Sequence, residues 1–225
     1  MNRALLSHPP AAVLFDLDGT LVDSVPSLAA AVDRTLAALG RTPAGLQAVR
    51  SWVGNGAHTL IERALSASHT PDPDLDPALT EQALALFLAF YAEQPEQGTT
   101  LYPGVAECLA ELDARGVPMA LVTNKPARFV PPLLHSFDLT QRFRLVLGGD
   151  SLNEKKPHPQ PLLYAAAQLG VAPQQCLMVG DSVTDIRAAR AAGMAVACVR
   201  YGYNHGAPID DSGADWTVDS LVELL

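Results

Sequence analysis

Four short stretches hold the residues able to do chemistry: Asp16-Leu17-Asp18-Gly19-Thr20, Val122-Thr123-Asn124-Lys125, Lys155-Lys156-Pro157-His158-Pro159 and Gly180-Asp181-Ser182-Val183-Thr184-Asp185. In the first, two carboxylates stand one residue apart. At a strand end, residues i and i+2 point to the same side, so both can face one crevice. Two anions held together repel, and their surroundings must supply cations, a proton or both. Phosphoryl transfer needs such a set: a nucleophile in line with the leaving oxygen and neutralised phosphate oxygens. Asp16 and Asp181 can give carboxylates to Mg²⁺, a hard cation that takes oxygen ligands. Asp18 can add its backbone carbonyl and keep its side chain free. The Thr123 hydroxyl, the Asn124 N–H and the Lys156 charge can hold the phosphate. Asp16, beside a metal and a lysine, stays ionised and nucleophilic. Asp18 then gives a proton to the departing alkoxide and takes one from the attacking water.

Singly, each of these residues has a plainer reading. Asp16 and Asp18 make an acidic turn, Thr123 is a strand-end hydroxyl, Lys156 is a solvated loop lysine, and Asp181 and Asp185 are a turn and a helix cap. Jointly they are harder to dismiss, because each stretch follows an apolar strand. Ala12–Phe15 reads as a buried strand, with Gly19 freeing the turn after it and Thr20 offering its hydroxyl there. Further strands are expected at 117–122, 144–147, 175–179, 195–199 and 216–218. Helices are expected at 104–115, 128–137, 161–169 and 186–192, with another at the C-terminus. In 128–137, Pro131-Pro132 must lie near the helix start or break it. Strands alternating with helices imply a parallel sheet wrapped on both faces, an α/β Rossmann-like core. In such a sheet the strand ends share one rim, where ligands bind. Residues 25–95 differ: 25–39, 47–52, 57–67 and 77–93 all read as helices, with Gly40 able to end the first and Pro77 to open the last. No convincing strand interrupts them. The expected organisation is a core of 1–24 and 96–225 with an inserted all-helical cap at 25–95.

The four stretches, in this order, resemble the motifs of the haloacid dehalogenase-like phosphatases, and the helical insert is similar to their type-1 cap. The resemblance implies Asp16 as nucleophile, Asp18 as general acid/base, and Asp16, Asp18 and Asp181 as Mg²⁺ ligands. It also implies phosphate contacts from Thr123, Asn124 and Lys156, with Asp185 behind them orienting a metal water or Lys156. Trp52–Ala57, Pro126–Leu134, Gly148-Gly149-Asp150 and Tyr201–Asn204 resemble the bacterial phosphoglycolate phosphatases, which implies a small phosphate ester as partner. Relatives acting on sugar phosphates share parts of these segments. A phosphosugar mutase would keep all four motifs, whereas a dehalogenase would have no use for Asp18 and Asp181. A non-catalytic phosphate-binding module would tolerate loss of Asp18 or Lys156, and neither is lost. Selectivity is expected from the cap turn Gly54-Asn55-Gly56, closing near Lys156 and Asn124. The cap arginines Arg34, Arg41, Arg50 and Arg63 are candidates for holding a substrate carboxylate.

Composition bounds the partners. With 15 basic against 24 acidic residues, the net charge of −9 argues against nucleic acid and anionic membranes. Hydrophobic residues at 48% and charged residues at 17% describe an ordinary globular chain. The three lysines, Lys125, Lys155 and Lys156, all lie beside the polar loops. Cys108, Cys176 and Cys198 are odd in number and widely spaced, as expected of buried fillers in a reducing compartment. Met1–Pro10 does not read as a signal peptide, and the expected location is cytoplasmic. Monomer and homodimer are left open.

Overall fold

The computed structural model describes residues 10–225. The reading of Met1–Pro10 thus falls outside the described residues, save for Pro10. Among the described residues a six-stranded parallel sheet forms the centre. Its order is β5 (Leu145–Leu147), β4 (Met119–Val122), β1 (Ala12–Phe15), β6 (Cys176–Gly180), β7 (Ala195–Val199), β8 (Trp216–Val218).

The uninterrupted apolar run of β1 follows from its position. It pairs in parallel with β4 on one side (Val13 with Met119) and β6 on the other (Leu14 with Met178). Its side chains alternate between two cores, so both faces need apolar residues. Val13 and Phe15 join Met119 and Leu121 under α5 (Val105–Ala114) and α6 (Val130–Ser136). Ala12 and Leu14 join Ala120 and Val122 under α7 (Gln160–Leu169) and α8 (Val183–Ala192). Since β1 sits between β4 and β6, the strand order reverses there, which opens a crevice beyond the carboxyl ends of these strands.

The helices between residues 25 and 93 are α1 (Val25–Ala38), α2 (Leu46–Trp52), α3 (Ala57–Ser66) and α4 (Pro77–Glu93), and they share a third core. Gly40 follows the end of α1 at φ +69°. Pro77 opens α4, where the Asp76 carboxylate accepts from the Ala78 N–H at 2.9 Å. On α4, Thr80, Ala83, Phe87 and Tyr91 form the buried stripe, at the spacing of one helix face.

Several sequence expectations need correction. A short antiparallel ribbon, β2 (Val22–Asp23) with β3 (Thr100–Leu101), stands where the chain enters and leaves the helical segment. Two-residue strands have no readable period, so pattern could not find them. The strand expected from Val117 starts at Met119, and the helix expected from Ile186 starts at Val183. The helix expected at 128–137 is a 3₁₀ turn, Ala127–Phe129, followed by α6, whose first turn holds Pro131. The C-terminal helix is a single 3₁₀ turn, Leu221–Leu224.

Candidate active site

Each motif enters the crevice from a strand end. Asp16 directly follows β1, anchored as its N–H donates to the Val179 carbonyl of β6 at 2.9 Å. The next turn needs Gly19: its φ is +84°, and a side chain there would run into the Asp181 carboxylate. The Thr20 hydroxyl, expected to serve the turn, is buried and makes no hydrogen bond among the described residues. Thr123 follows β4, and its N–H donates to Leu147 of β5 at 2.9 Å. Asp181 follows β6, and its Oδ2 accepts the Tyr203 N–H at 2.6 Å.

Lys156, only 2% exposed, ties two of these loops together. Its Nζ stands 3.0 Å from Asp16 Oδ1 and 2.7 Å from Asp185 Oδ1. The other oxygen of Asp185 accepts from the Ser182 N–H and hydroxyl and from the Asp181 N–H. Asp185 thereby holds both the lysine and the loop carrying Asp181. Asp16, Asp181 and Asp185 each place a carboxylate oxygen within 4.8 Å of the others. This crowding has a cost. Burial pushes the Asp16 carboxyl up to about 6; the Lys156 ammonium works against this, and the Asp185 carboxylate adds to it. Asp181 is raised well above the usual carboxylate range by burial and by Asp185 and Asp16. Burial would lower Lys156, but the Asp16 and Asp185 carboxylates carry it upward.

Asp18 stands outside this cluster, and its side chain is not free as expected. Both of its oxygens accept from Lys125 Nζ, at 2.9 and 3.0 Å, and Ser24 Oγ donates to Oδ1. Lys125 is as buried as Thr123 and Asn124 before it, with Nζ 4.9 Å from the centre of the Tyr91 ring on α4. Asp16, Asp18, Thr123, Asn124 and Lys125 line one cavity, whose opposite wall is apolar and comes from the helical segment: Leu28, Val53, Leu60, Phe87 and Tyr91.

The turn Gly54-Asn55-Gly56 rests on this rim. Asn124 Nδ2 donates to the Gly54 carbonyl at 3.1 Å and to the Lys156 carbonyl at 2.9 Å. Lys155 Nζ donates to the Asn55 carbonyl at 2.9 Å, and Asn55 Nδ2 donates to Thr184 Oγ1 at 3.2 Å. A side chain at Gly56, where φ is +90°, would press on Lys155 Nζ and the Asn124 carbonyl.

The arginines offered for a carboxylate are engaged elsewhere, and none lines the cavity. Arg34 pairs with Glu93 and Arg50 with Asp23. Arg41 donates to the Leu65 carbonyl, and Arg63 to those of Trp52 and His69. Sequence reasoning overlooked Lys125, Tyr91, Ser24 and Tyr203 as parts of the site. Tyr203 links the Asp181 loop to the ribbon: beyond its N–H bond to Asp181, its hydroxyl donates to Asp23 and accepts the Ser24 N–H, both at 2.9 Å. For Lys125 a signal existed. In a chain with three lysines, each beside a polar loop, a lysine one residue past Asn124 is an economical candidate.

A family model of the haloacid dehalogenase-like hydrolases matches residues 10–193. The chain belongs to the haloacid dehalogenase-like hydrolases. Among relatives of this hydrolase, a phosphoglycolate phosphatase of Pseudomonas putida is 56% identical, over 96% of this chain and 79% of its own length. A phosphoglycolate phosphatase of Nitrosococcus oceani is 47% identical, over 96% and 95%. A crystal structure of a "predicted phosphoglycolate phosphatase" from Haemophilus somnus superposes with a TM-score of 0.87 at 39% identity, covering 95% of this chain and 96% of that one.

The residues present fit a divalent cation. Three carboxylates converge, and burial together with the neighbouring carboxylates raises those of Asp16 and Asp181. The contacts of Asp16 with protein all use Oδ1, and the side-chain bond of Asp181 uses Oδ2, which leaves one oxygen of each without a partner among the described residues. A hard cation takes such oxygens. The structure holds no helix long and apolar enough to cross a membrane among the described residues. Cys108, Cys176 and Cys198 are buried and unpaired.

Proposed function

We propose that this hydrolase is a Mg²⁺-dependent phosphatase that cleaves 2-phosphoglycolate to glycolate and phosphate through an aspartyl-phosphate on Asp16. The observation that carries this reading is the cavity itself. One side holds Asp16, Asp18, Thr123, Asn124 and Lys125, and the side chains facing them are apolar except for the Tyr91 hydroxyl. Such a space suits a phosphate on a short stem better than a hydroxyl-rich sugar, whose polar groups would be buried without partners. The names of the relatives point to the same ester.

In this reading an Asp16 oxygen attacks phosphorus while the bond to the glycolate oxygen breaks. Asp18 takes up a proton as the substrate binds and gives it to that oxygen, then takes one from the water that attacks the aspartyl-phosphate and releases Asp16. Thr123, the Asn124 N–H and Lys156 hold the phosphoryl oxygens. Asp16, Asp181 and the Asp18 carbonyl would hold Mg²⁺, which supplies positive charge to the phosphate oxygens. Residues 1–24 and 96–225 act as the catalytic core, and 25–95 as a cap that closes over it through Gly54-Asn55-Gly56. The unpaired cysteines agree with a cytoplasmic location.

The test is a steady-state panel of 2-phosphoglycolate, glucose phosphates and p-nitrophenyl phosphate, each with Mg²⁺ and with a chelator. The expected result is Mg²⁺-dependent release of phosphate, with 2-phosphoglycolate giving the highest kcat/KM. A sugar phosphate above 2-phosphoglycolate would overturn the substrate, and full activity in chelator would overturn the metal.

A further inference from the structure

We infer that Lys125, assisted by Tyr91, is the cation that selects a carboxylate on the leaving group, and that Asp18 holds it in readiness until the substrate arrives. The inference rests on the phosphatase reading above and names the specificity element of that site.

Three observations carry it. First, among the described residues lining the cavity, Lys125 is the only cation. A carboxylate entering this space without a cation would be buried unpaired, which is strongly unfavourable. Second, the position is right for this ester. In 2-phosphoglycolate a single methylene separates the leaving oxygen from the carboxyl carbon. The group that protonates the leaving oxygen and the group that binds the carboxylate must therefore touch each other. Lys125 Nζ, at 2.9 and 3.0 Å from the Asp18 oxygens, meets that condition. An ammonium has three N–H donors and can serve Asp18 and a substrate carboxylate together. Third, Tyr91 lines the same cavity from the wall facing Lys125, its ring centre 4.9 Å from Lys125 Nζ, and its buried hydroxyl has no hydrogen-bond partner among the described residues. It is a donor in reserve. Lys125 comes from the loop after β4 and Tyr91 from α4, so the carboxylate would be gripped between core and helical segment.

The experiment compares 2-phosphoglycolate with ethyl phosphate, which lacks the carboxylate, in wild type, Lys125→Met and Tyr91→Phe. Lys125→Met keeps the stem and removes the charge. It disturbs Asp18 too, so both esters slow down; the ratio of their kcat/KM values isolates the carboxylate. That ratio should fall by about 10²–10³ in Lys125→Met, the loss expected when one partner of a buried charge pair is removed. In Tyr91→Phe it should fall by about tenfold, as expected for a single hydrogen bond to a charged group. Equal losses on both esters would mean that Lys125 only positions Asp18, and would overturn the inference while leaving the phosphatase reading intact. A wild type that does not prefer 2-phosphoglycolate would overturn both. Should Lys125→Met fail to fold, binding to Asp18→Asn keeps the question open to an answer. With the ammonium freed of its counter-charge, 2-phosphoglycolate should gain affinity by calorimetry relative to Asp16→Asn, and by about tenfold more than ethyl phosphate gains. Equal gains for the two esters would overturn the inference.

Discussion

At the scale of single residues, the two carboxylates of the first motif have been given opposite surroundings. Asp16 lies among carboxylates, is raised to about 6 and shares one lysine with Asp185. Asp18 has a lysine and a serine hydroxyl of its own. Replacing Asp16 by Asn should abolish turnover, since an amide oxygen is a poor nucleophile; recovery of phosphate on Asp18 instead of Asp16 after rapid quenching would reverse the assignment. The same variant carries a stability signature. Asp16 titrates near 4 when unfolded and near 6 when folded, so the folded state binds its proton more tightly. The resulting destabilisation is absent below pH 4, grows through pH 6 and reaches about 3 kcal/mol above it. Metal-free Asp16→Asn should therefore melt several degrees above the metal-free wild type at pH 7.5, with the gap closing near pH 4. Asp18→Asn should lose about 10²–10⁴ in rate on esters with poor leaving groups. With p-nitrophenyl phosphate a phosphorylated Asp16 should accumulate, because the leaving group needs no proton while hydrolysis still lacks its base. Mass spectrometry of the quenched protein checks this.

At the scale of elements, two connections decide how the site is assembled. The ribbon of β2 and β3 passes the chain between sheet and helices, and Arg50, Asp23 and Tyr203 bind the helical segment, the ribbon and the Asp181 loop into one set of contacts. The turn between α2 and α3 then reaches the rim at Asn124, Lys155 and Thr184. Asn55→Leu removes the side-chain bond to Thr184 and puts bulk at that contact. We expect kcat/KM for 2-phosphoglycolate to fall at least about tenfold further than for p-nitrophenyl phosphate, because in the proposed reading only the first needs a closed wall around its carboxylate. Equal effects on the two substrates would remove the turn from any account of selectivity.

At the scale of the whole molecule, the fold buries three carboxylates in a chain of net charge −9. A cation that binds them should raise stability by linkage. The gain depends on pH with a definite sign. Above pH 6 the folded Asp16 is ionised at its full cost, and a cation relieves it; near pH 4.5 it is mostly protonated, and a cation must first displace the proton. Saturating Mg²⁺ should thus raise Tm by about 5 °C or more at pH 7.5 and by much less at pH 4.5, as read by calorimetry. A larger shift at the acid end would contradict the carboxylate cluster as the binding site.

The sheet and its rim were legible in the sequence because their causes are local. Ala12–Phe15 reads as a doubly covered strand, and Asp16, Thr123 and Asp181 follow strands directly, so a parallel sheet brings them to one edge. The helices of residues 25–93 were legible from composition and punctuation, in alanine- and leucine-rich runs bounded by Gly40, Gly54-Asn55-Gly56 and the prolines that end at Pro77. What depended on tertiary structure is pairing across the chain. Lys125 meets Asp18 107 positions away, and Tyr203 meets Ser24 179 positions away. The scarcity of lysines marks Lys125 as a candidate, but nothing local names Asp18 as its partner or separates Tyr203 from an ordinary core tyrosine. The arginines failed as carboxylate ligands for the converse reason: each found a nearer acceptor within the helical segment or at the ribbon. Sequence by itself determined that Asp16, Asp18, Asp181 and Lys156 carry charge to the crevice, and it passed over Lys125. Only the folded chain decided which charges neutralise one another there, because that balance depends on distances and burial that no spacing along the chain encodes.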